Sequence, residues 1–472
     1  MADLGPDDGA RLLGALAEAP GTGLRANSRF GSVTDLLTVL GWQASAVPWS
    51  PDGVLLHPDG GGDVAARLTQ DVGRAGADDE PASRHPAGRH PLHDAGAYYV
   101  QDPSAMGVVP VLDPQPGERV LDLAAAPGGK STYIADRMAG SGLLWSHDVD
   151  ATRAGALVGN LERWGAQNVV VSHGPTSRLA PLHGTFDRVL LDAPCSGEGM
   201  FRKSRAAREL WSQRRVTEFA EAQARLLDEA ADLLAPGGVL VYSTCTFGPL
   251  ENESAVGALL ERRSDLSPFP FTAAGASGGL EPYATDAGLV GACARWWPHL
   301  QSGEGHFVAR LLKEPDAQRP QRRDPKAAAH GSEPSRAESD AYAAFCEESL
   351  GSCPPRGRLV RFGEWLHLMP DAWLPEGIAP RRVGAPVGRV SGARFTPHHA
   401  LARLLPSHGE HAVTADLSLH DPRVDAYRAG AVIEADVPDG WLVVRVGGYP
   451  LGWAKSKSGV LNNQYPKGLR RT

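Results

Sequence analysis

From about residue 117 the chain alternates short apolar runs with amphipathic stretches, and that alternation constrains it to an α/β domain built on a largely parallel sheet. ERVLDLA from Glu118 predicts a strand, STYIADRM a helix, GLLWSHD a strand closing at Asp148, ATRAGALVGNLERWG an amphipathic helix and NVVVSH a third strand. FDRVLLDAP predicts a fourth strand. A long helix over about 216–234 comes next, broken at Pro236-Gly237-Gly238, and then the strands VLVYSTC and, near Phe307, HFVARLLK. In such a doubly wound, Rossmann-like sheet, ligands bind outside the carboxyl ends of the strands.

Two cysteines fall at that edge. Cys195 in LLDAPCSGEGMFRK and Cys245 in LVYSTCTFGPLENE each stand just past the end of an apolar run, so both thiols would face one pocket. Cysteine is often plain core, but Pro194 and Ser196-Gly197 describe a turn around Cys195. A disulfide between the two is compatible with this placement, yet the chain has five cysteines in 472 residues and no secretory leader to imply an oxidising compartment. No C-x-x-C pair occurs, and His147, His173 and His183 have no ligand-like spacing, so no metal is expected.

The loop Asp122-Leu123-Ala124-Ala125-Ala126-Pro127-Gly128-Gly129-Lys130 opens a helix with residues small enough for close ligand approach. A dinucleotide fingerprint G-x-G-x-x-G is absent. Gly129-Lys130-Ser131 matches the end of a P-loop, but Ala124 stands where the first glycine belongs, and Asp122 would repel a triphosphate. The third reading is S-adenosylmethionine, whose cationic centre favours a nearby acid. Asp148, closing the second strand about 20 residues after the loop, is placed to accept from ribose hydroxyls.

The length allows two to four domains, and 42% hydrophobic with 22% charged residues marks a globular protein rather than a disordered one. No basic leader or membrane-length apolar run occurs, so a cytoplasmic protein, acting as a monomer, is expected. The net charge of −8 does not mark a nucleic-acid binder, but two local patches do. LGWAKSKSGVLNNQYPKGLRRT at the C-terminus carries Lys455, Lys457, Lys467, Arg470 and Arg471, interleaved with Trp453 and Tyr465. The stretch after Cys195 carries Arg202, Lys203, Arg205, Arg208, Arg214 and Arg215. The expected organisation is an N-terminal segment over 1–100 with a Gly/Ala/Asp-rich insertion at about 60–90, a catalytic domain over 101–314, a linker over 315–340, an accessory α+β unit of short strands and one helix over 341–405, and a last module over 406–472.

DLAAAPGGKS, LLDAPCSGEGMFRK, YSTCTFGPLENE and RWWPHLQSGEGHF together resemble the signatures of RNA cytosine-5 methyltransferases. GLRANSR, YYVQDPSAM and the C-terminal tail are similar to the bacterial ribosomal small-subunit methyltransferase F group. The resemblance implies a Rossmann-like S-adenosylmethionine-dependent methyltransferase domain, an N-terminal RNA-binding-like segment and a C-terminal PUA-like RNA-binding module. It implies Cys245 as nucleophile and Cys195 as the residue that assists release. Ala124, Ala125, Ala126, Pro127, Gly128, Gly129 and Lys130, with Asp148 and Asp192, would line the cofactor. Many relatives carry an aspartate after the third strand, where this chain has His173-Gly174-Pro175-Thr176.

The chemistry wants such residues. Cytosine C5 is a poor nucleophile, and thiolate addition at C6 turns it into a reactive enamine carbon. Asp192, protonated or sharing a proton with N3, would steady the adduct, and Cys195 would promote loss of the C5 proton. Lys203, or a helix start after Pro249, would favour the Cys245 thiolate. His306 in GEGHF is expected to end a strand. A base inside a duplex cannot reach such a pocket, so the target would be unpaired or flipped out and held by Arg202, Lys203, Lys455, Lys457, Lys467 and Arg470. The implied substrate is cytidine in small-subunit ribosomal RNA, in its decoding region. A transfer RNA target and a non-catalytic ribosome-assembly factor are the rival readings.

Overall fold

The computed structural model describes residues 4–57, 86–316, 331–351, 357–369, 378–406 and 413–471; most of the expected insertion and linker lies outside them. The central sheet has ten strands: β1 (Arg119–Asp122), β2 (Leu143–Asp148), β3 (Val169–His173), β4 (Phe186–Asp192), β5 (Leu234–Thr244), β6 (Leu266–Pro268), β7 (Ser277–Gly278), β8 (Cys293–Trp296), β9 (His306–Lys313) and β10 (Arg382–Val383). Their order is β7-β8-β9-β5-β4-β1-β2-β3-β10, with β6 on β9. Strands β1 to β5 pair in parallel, whereas β9 runs antiparallel to β5. The order reverses between β1 and β4, and the site lies at that switch point.

Apolar runs rather than strict alternation mark these strands because both faces are covered. Leu121, Trp145, Val170, Val189 and Leu191 pack on one side with Leu227, Ala230 and Val256. Val120, Leu144, Val171, Leu190 and Val241 pack on the other with Ile134, Leu157 and Leu161. The covering helices are α1 (Gly129–Arg137) and α2 (Ala151–Trp164) on the second side and α3 (Gln213–Leu233) and α4 (Glu253–Arg262) on the first. Asp150 caps α2 by accepting from Arg153 N, and Gly165 closes it in the left-handed region.

The helix break expected at Pro236-Gly237-Gly238 falls inside β5. Leu234 pairs with Phe186 and Val239 with Arg188, so the Pro-Gly-Gly residues form a bulge where proline's missing donor costs no ladder bond.

The flanking regions share cores. A four-stranded N-terminal sheet (Ala44–Ala46, Gly53–Leu56, Gly23–Ala26, Tyr98–Val100) joins the five-stranded C-terminal sheet in one cluster, in which Leu24 and Tyr98 share a core with Leu442, Val444 and Tyr449. Arg428 donates to Asp94 Oδ2 at 2.7 and 2.9 Å and Arg471 to Oδ1 at 2.8 Å, tying the two regions through charge as well. The region between, over 341–405, supplies a four-stranded meander, and its β10 extends the central sheet beside β3. Helices Arg336–Phe345 and His399–Arg403 accompany that meander.

Candidate active site

Three strand ends build the site. The loop after β1 is pinned by main-chain bonds across the sheet: Ala125 N donates to His147 O (2.8 Å) and Ala126 N to Asp148 Oδ2 (3.1 Å). Gly128 has φ +113°, and a Cβ there would stand 3.0 Å from Leu157 Cδ1, so only glycine lets the loop turn tightly into α1. Arg25 of GLRANSR braces the loop from behind, donating to Gly129 O (3.2 Å) and Thr132 Oγ1 (2.6 Å) between the rings of Tyr133 and Trp164. Asn27 and Arg29 likewise donate inward to Trp164 O. Arg25 and Asn27, both buried, therefore hold the sheet in place rather than face RNA, whereas Ser28 and Arg29 are exposed.

Asp122, fully buried, accepts from Ser131 Oγ at 2.7 Å through Oδ2, while its Oδ1 has no partner among the described residues. Burial pushes its carboxyl up to about 7. Asp148 is also buried and engaged, taking Asp150 N on Oδ1 (3.0 Å), with Arg153 3.5 Å from Oδ2. Val149 beside it is 65% exposed, an apolar side chain at the crevice that sequence reading passed over.

At the end of β4, Asp192 accepts from Lys130 Nζ (2.6 Å) and Ser243 Oγ (2.7 Å), and His306 Nε2 lies 3.5 Å away. Burial favours its neutral form, but the Lys130 ammonium and the His306 ring overcome this and hold the carboxyl well below its usual range. These surroundings favour the carboxylate, which suits the second of the two expected roles, sharing a proton with N3, over that of a standing protonated acid. His306 begins β9 rather than ending a strand, and burial keeps its ring below the ordinary imidazole range.

Cys195 Sγ and Cys245 Sγ stand 3.4 Å apart, both free and half-buried. The hydrogen bond with Cys245, then burial, raises the Cys195 thiol well above its ordinary value. Two carboxylates missed by the sequence reading lock the loops together. Glu198, from the Cys195 loop, accepts through Oε2 from Thr246 Oγ1 (2.9 Å), Phe247 N (2.8 Å) and Gly248 N (3.1 Å) of the Cys245 loop. Glu251, beyond Cys245, accepts in return from Ser196 N (2.9 Å) and Ser196 Oγ (2.5 Å), and Gln223 steadies it at 3.0 Å. Gly199 N donates to Cys245 O at 2.8 Å, and a Cβ there would meet that same oxygen at 2.8 Å. The acids in CSGE and PLE were the available signal, but their partners lie about 50 residues away.

The expected RNA contacts divide. Arg202 and Lys203 turn inward: Arg202 Nε donates to Glu304 (2.7 Å), and Lys203 Nζ to Asp102 (3.0 Å), with Glu304 3.7 Å from the ammonium. Both cations are thus paired with acids of the protein rather than standing as free surface charges. Pro249 opens only a three-residue turn, and α4 starts later, at Glu253. Lys455, Lys457 and Lys467 are exposed on the last module, far in sequence from the thiols. Arg470 is half-buried and donates to Tyr465 O (3.3 Å). Trp453 and Tyr465 are core residues, 1% and 3% exposed, rather than stacking surfaces. After β3, the substituted segment is occupied internally: His147 Nε2 pairs with Gly174 O, and Thr176 with Glu229.

Among characterised proteins, the chain is 31% identical over 463 residues to the ribosomal RNA small subunit methyltransferase F of Aeromonas salmonicida (strain A449), covering 95% of this chain and 90% of that one. The chain belongs to the ribosomal RNA small subunit methyltransferase F family. The corresponding Klebsiella pneumoniae (strain 342) protein is 32% identical with the same coverage. The family model for 16S rRNA methyltransferase RsmB/F matches residues 109–312, and that for the methyltransferase RsmF PUA domain matches 414–471. A solved methyltransferase homologue from Pyrococcus horikoshii shares 30% identity at a TM-score of 0.54, over 66% of this chain and 92% of that one. The Rossmann-like methyltransferase sheet and the C-terminal PUA-like module are those of this family. Among the described residues no helix is long and apolar enough to cross a membrane.

Proposed function

We infer that the protein methylates cytosine C5 in small-subunit ribosomal RNA, in the decoding region, with S-adenosylmethionine as cofactor. The observation that carries this reading is the pair of free thiols, 3.4 Å apart beside an ionised aspartate at the carboxyl edge of the sheet. The residues fit a cationic methyl donor: Asp122 Oδ1, unpartnered among the described residues, favours positive charge, the Gly128 turn lets backbone approach, and Asp148 with Val149 offers an acceptor beside an apolar surface. When bound, the cofactor supplies an electrophilic methyl group. Residues 124–130, Asp148 and Asp122 would hold it, with Lys130 keeping Asp192 charged.

Cys245 adds as thiolate to C6, placing electron density on C5, and the ionised Asp192 stabilises the proton taken up at N3. The Cys195 S–H faces the Cys245 sulfur and stabilises its anionic form by donation. Once Cys245 is bonded to carbon, its hydrogen bond and its charge no longer hold the Cys195 thiol up. C5 takes the methyl group, Cys195 gives its own proton to water and takes the C5 proton, and N3 returns to water the proton it took up from it; the C6–S bond then breaks, releasing Cys245 as thiolate and restoring the aromatic ring.

Methylation of small-subunit RNA by the Cys245→Ala protein should vanish. Cys195→Ala should accumulate a nuclease-sensitive protein–RNA adduct that migrates slowly on a denaturing gel. Normal turnover by either variant would refute the assigned roles, and modification mapped to an atom other than cytosine C5 would refute the reaction.

A further inference from the structure

The basic stretch after Cys195 divides into two parts. Arg202 and Lys203 are consumed by Glu304 and Asp102. Beyond Lys203 the chain leaves the pocket rim as a short helix, Arg205–Leu210, and turns at Trp211 into α3. Its start is fixed to the Cys195 loop: Ser204 N donates to Met200 O (2.8 Å), and Ser204 Oγ caps the helix by accepting from Ala207 N (3.1 Å). The start of the elbow is therefore fixed to the loop that carries Cys195.

Its outer face is unusual for a soluble surface. Leu210 is 58% and Trp211 38% exposed, adjacent in sequence and flanked by arginines on both sides. Arg208 is exposed and has no ion-pair partner among the described residues. Arg205 and Arg214 pair only with Glu209 and Glu218, in pairs so exposed that phosphate can displace the acid at little cost. In a chain of net charge −8, residues 204–218 hold four arginines against two glutamates. An exposed indole among arginines is the combination that unpaired nucleic acid demands: bases stack on the ring and guanidinium groups meet the backbone.

Resting on the proposed cytosine methylation, we propose that the elbow around Leu210-Trp211 binds the unpaired RNA strand flanking the target nucleotide, Trp211 stacking on a neighbouring base and Arg208 meeting phosphate. The elbow then performs the task assigned from sequence to Arg202 and Lys203, and it keeps the strand splayed while the target base enters the pocket.

The test uses the full chain and a fluorescent single-stranded oligonucleotide of the substrate sequence. Trp211→Ala should weaken RNA binding by about ten- to a hundredfold, Trp211→Phe by much less, and cofactor affinity and thermal midpoint should stay at wild-type values in both. Arg208→Ala should lower the slope of log affinity against log salt by about 0.7, the share of one phosphate on a single strand. Wild-type RNA affinity in Trp211→Ala, or an unchanged salt slope in Arg208→Ala, would overturn the proposal. Failure of the methylation reading looks different: the elbow variants would still lose RNA affinity, while the methyl group would map elsewhere than C5.

Discussion

Asp122 makes the cofactor site sensitive to pH in a way that can be measured. Its carboxyl is wholly buried and pushed up to about 7, with Lys130 lowering that value and Asp192 and Asp148 raising it. A positive charge entering the crevice favours the carboxylate, so binding of S-adenosylmethionine must expel the proton that Asp122 carries. A raised carboxyl is protonated below its pKa, so affinity climbs as pH rises toward 7 and levels above it. If the bound form is fully ionised, affinity falls by about tenfold at pH 6 and a hundredfold at pH 5, about 1.4 kcal/mol per unit. His147 and His306 are both held below the ordinary imidazole range by burial, so the Asn variant is what separates Asp122 from them. Calorimetric titration at pH 6 in buffers of different ionisation enthalpy should show about 0.9 proton released per cofactor bound, and about 0.5 at pH 7. Asp122→Asn should abolish the release. Heat that is independent of buffer at pH 6, or an unchanged release in the Asn variant, would refute the reasoning.

Glu198→Gln should slow single-turnover methylation by about ten- to a hundredfold, because one charged acceptor serving three donors is replaced by a neutral one worth roughly 1–3 kcal/mol less. Cofactor affinity should not change; a parallel loss of both would show that Glu198 does more than hold the Cys245 loop. Asp94→Asn leaves Arg428, 7% exposed, with only the exposed Asp425 as counter-ion and should destabilise the protein by about 3 kcal/mol, read as a lower urea midpoint. A midpoint within error of wild type would mean that the shared core alone holds the N- and C-terminal regions together.

Strand ends were legible in the sequence because parallel strands buried on both faces leave uninterrupted apolar runs, and these runs end at or just before candidate site residues: Asp122, Asp148, Asp192 and Cys245. Direction was not legible. Arg202 and Lys203 read as surface cations because the acids that capture them, Glu304 and Asp102, lie about 100 residues away in either direction. Trp453 and Tyr465 stood out only as aromatics interleaved with the basic tail, since it takes the folded sheet to show that they face its core. Glu198 and Glu251 were visible as acids near the thiols, but their role depends on main-chain donors of the opposite loop. The cores uniting residues 23–100 with 414–465 are equally non-local, which is why a linear division of the chain treats as separate regions what one apolar cluster joins.

The charges of the site suggest why protons move in a set order. At rest Asp192 is ionised against Lys130, Cys195 is held as a thiol, and Asp122 is poised near neutrality. In the proposed reaction a cationic cofactor would favour the Asp122 carboxylate on β1, and bonding of Cys245 to carbon would remove the hydrogen bond that raises the Cys195 thiol. Cys195 would then serve as base for the C5 proton only after Cys245 had been committed. Two equal cysteines would give no such order; the proposed division of labour rests on the hydrogen bond from Cys245 and the burial that raise the Cys195 thiol.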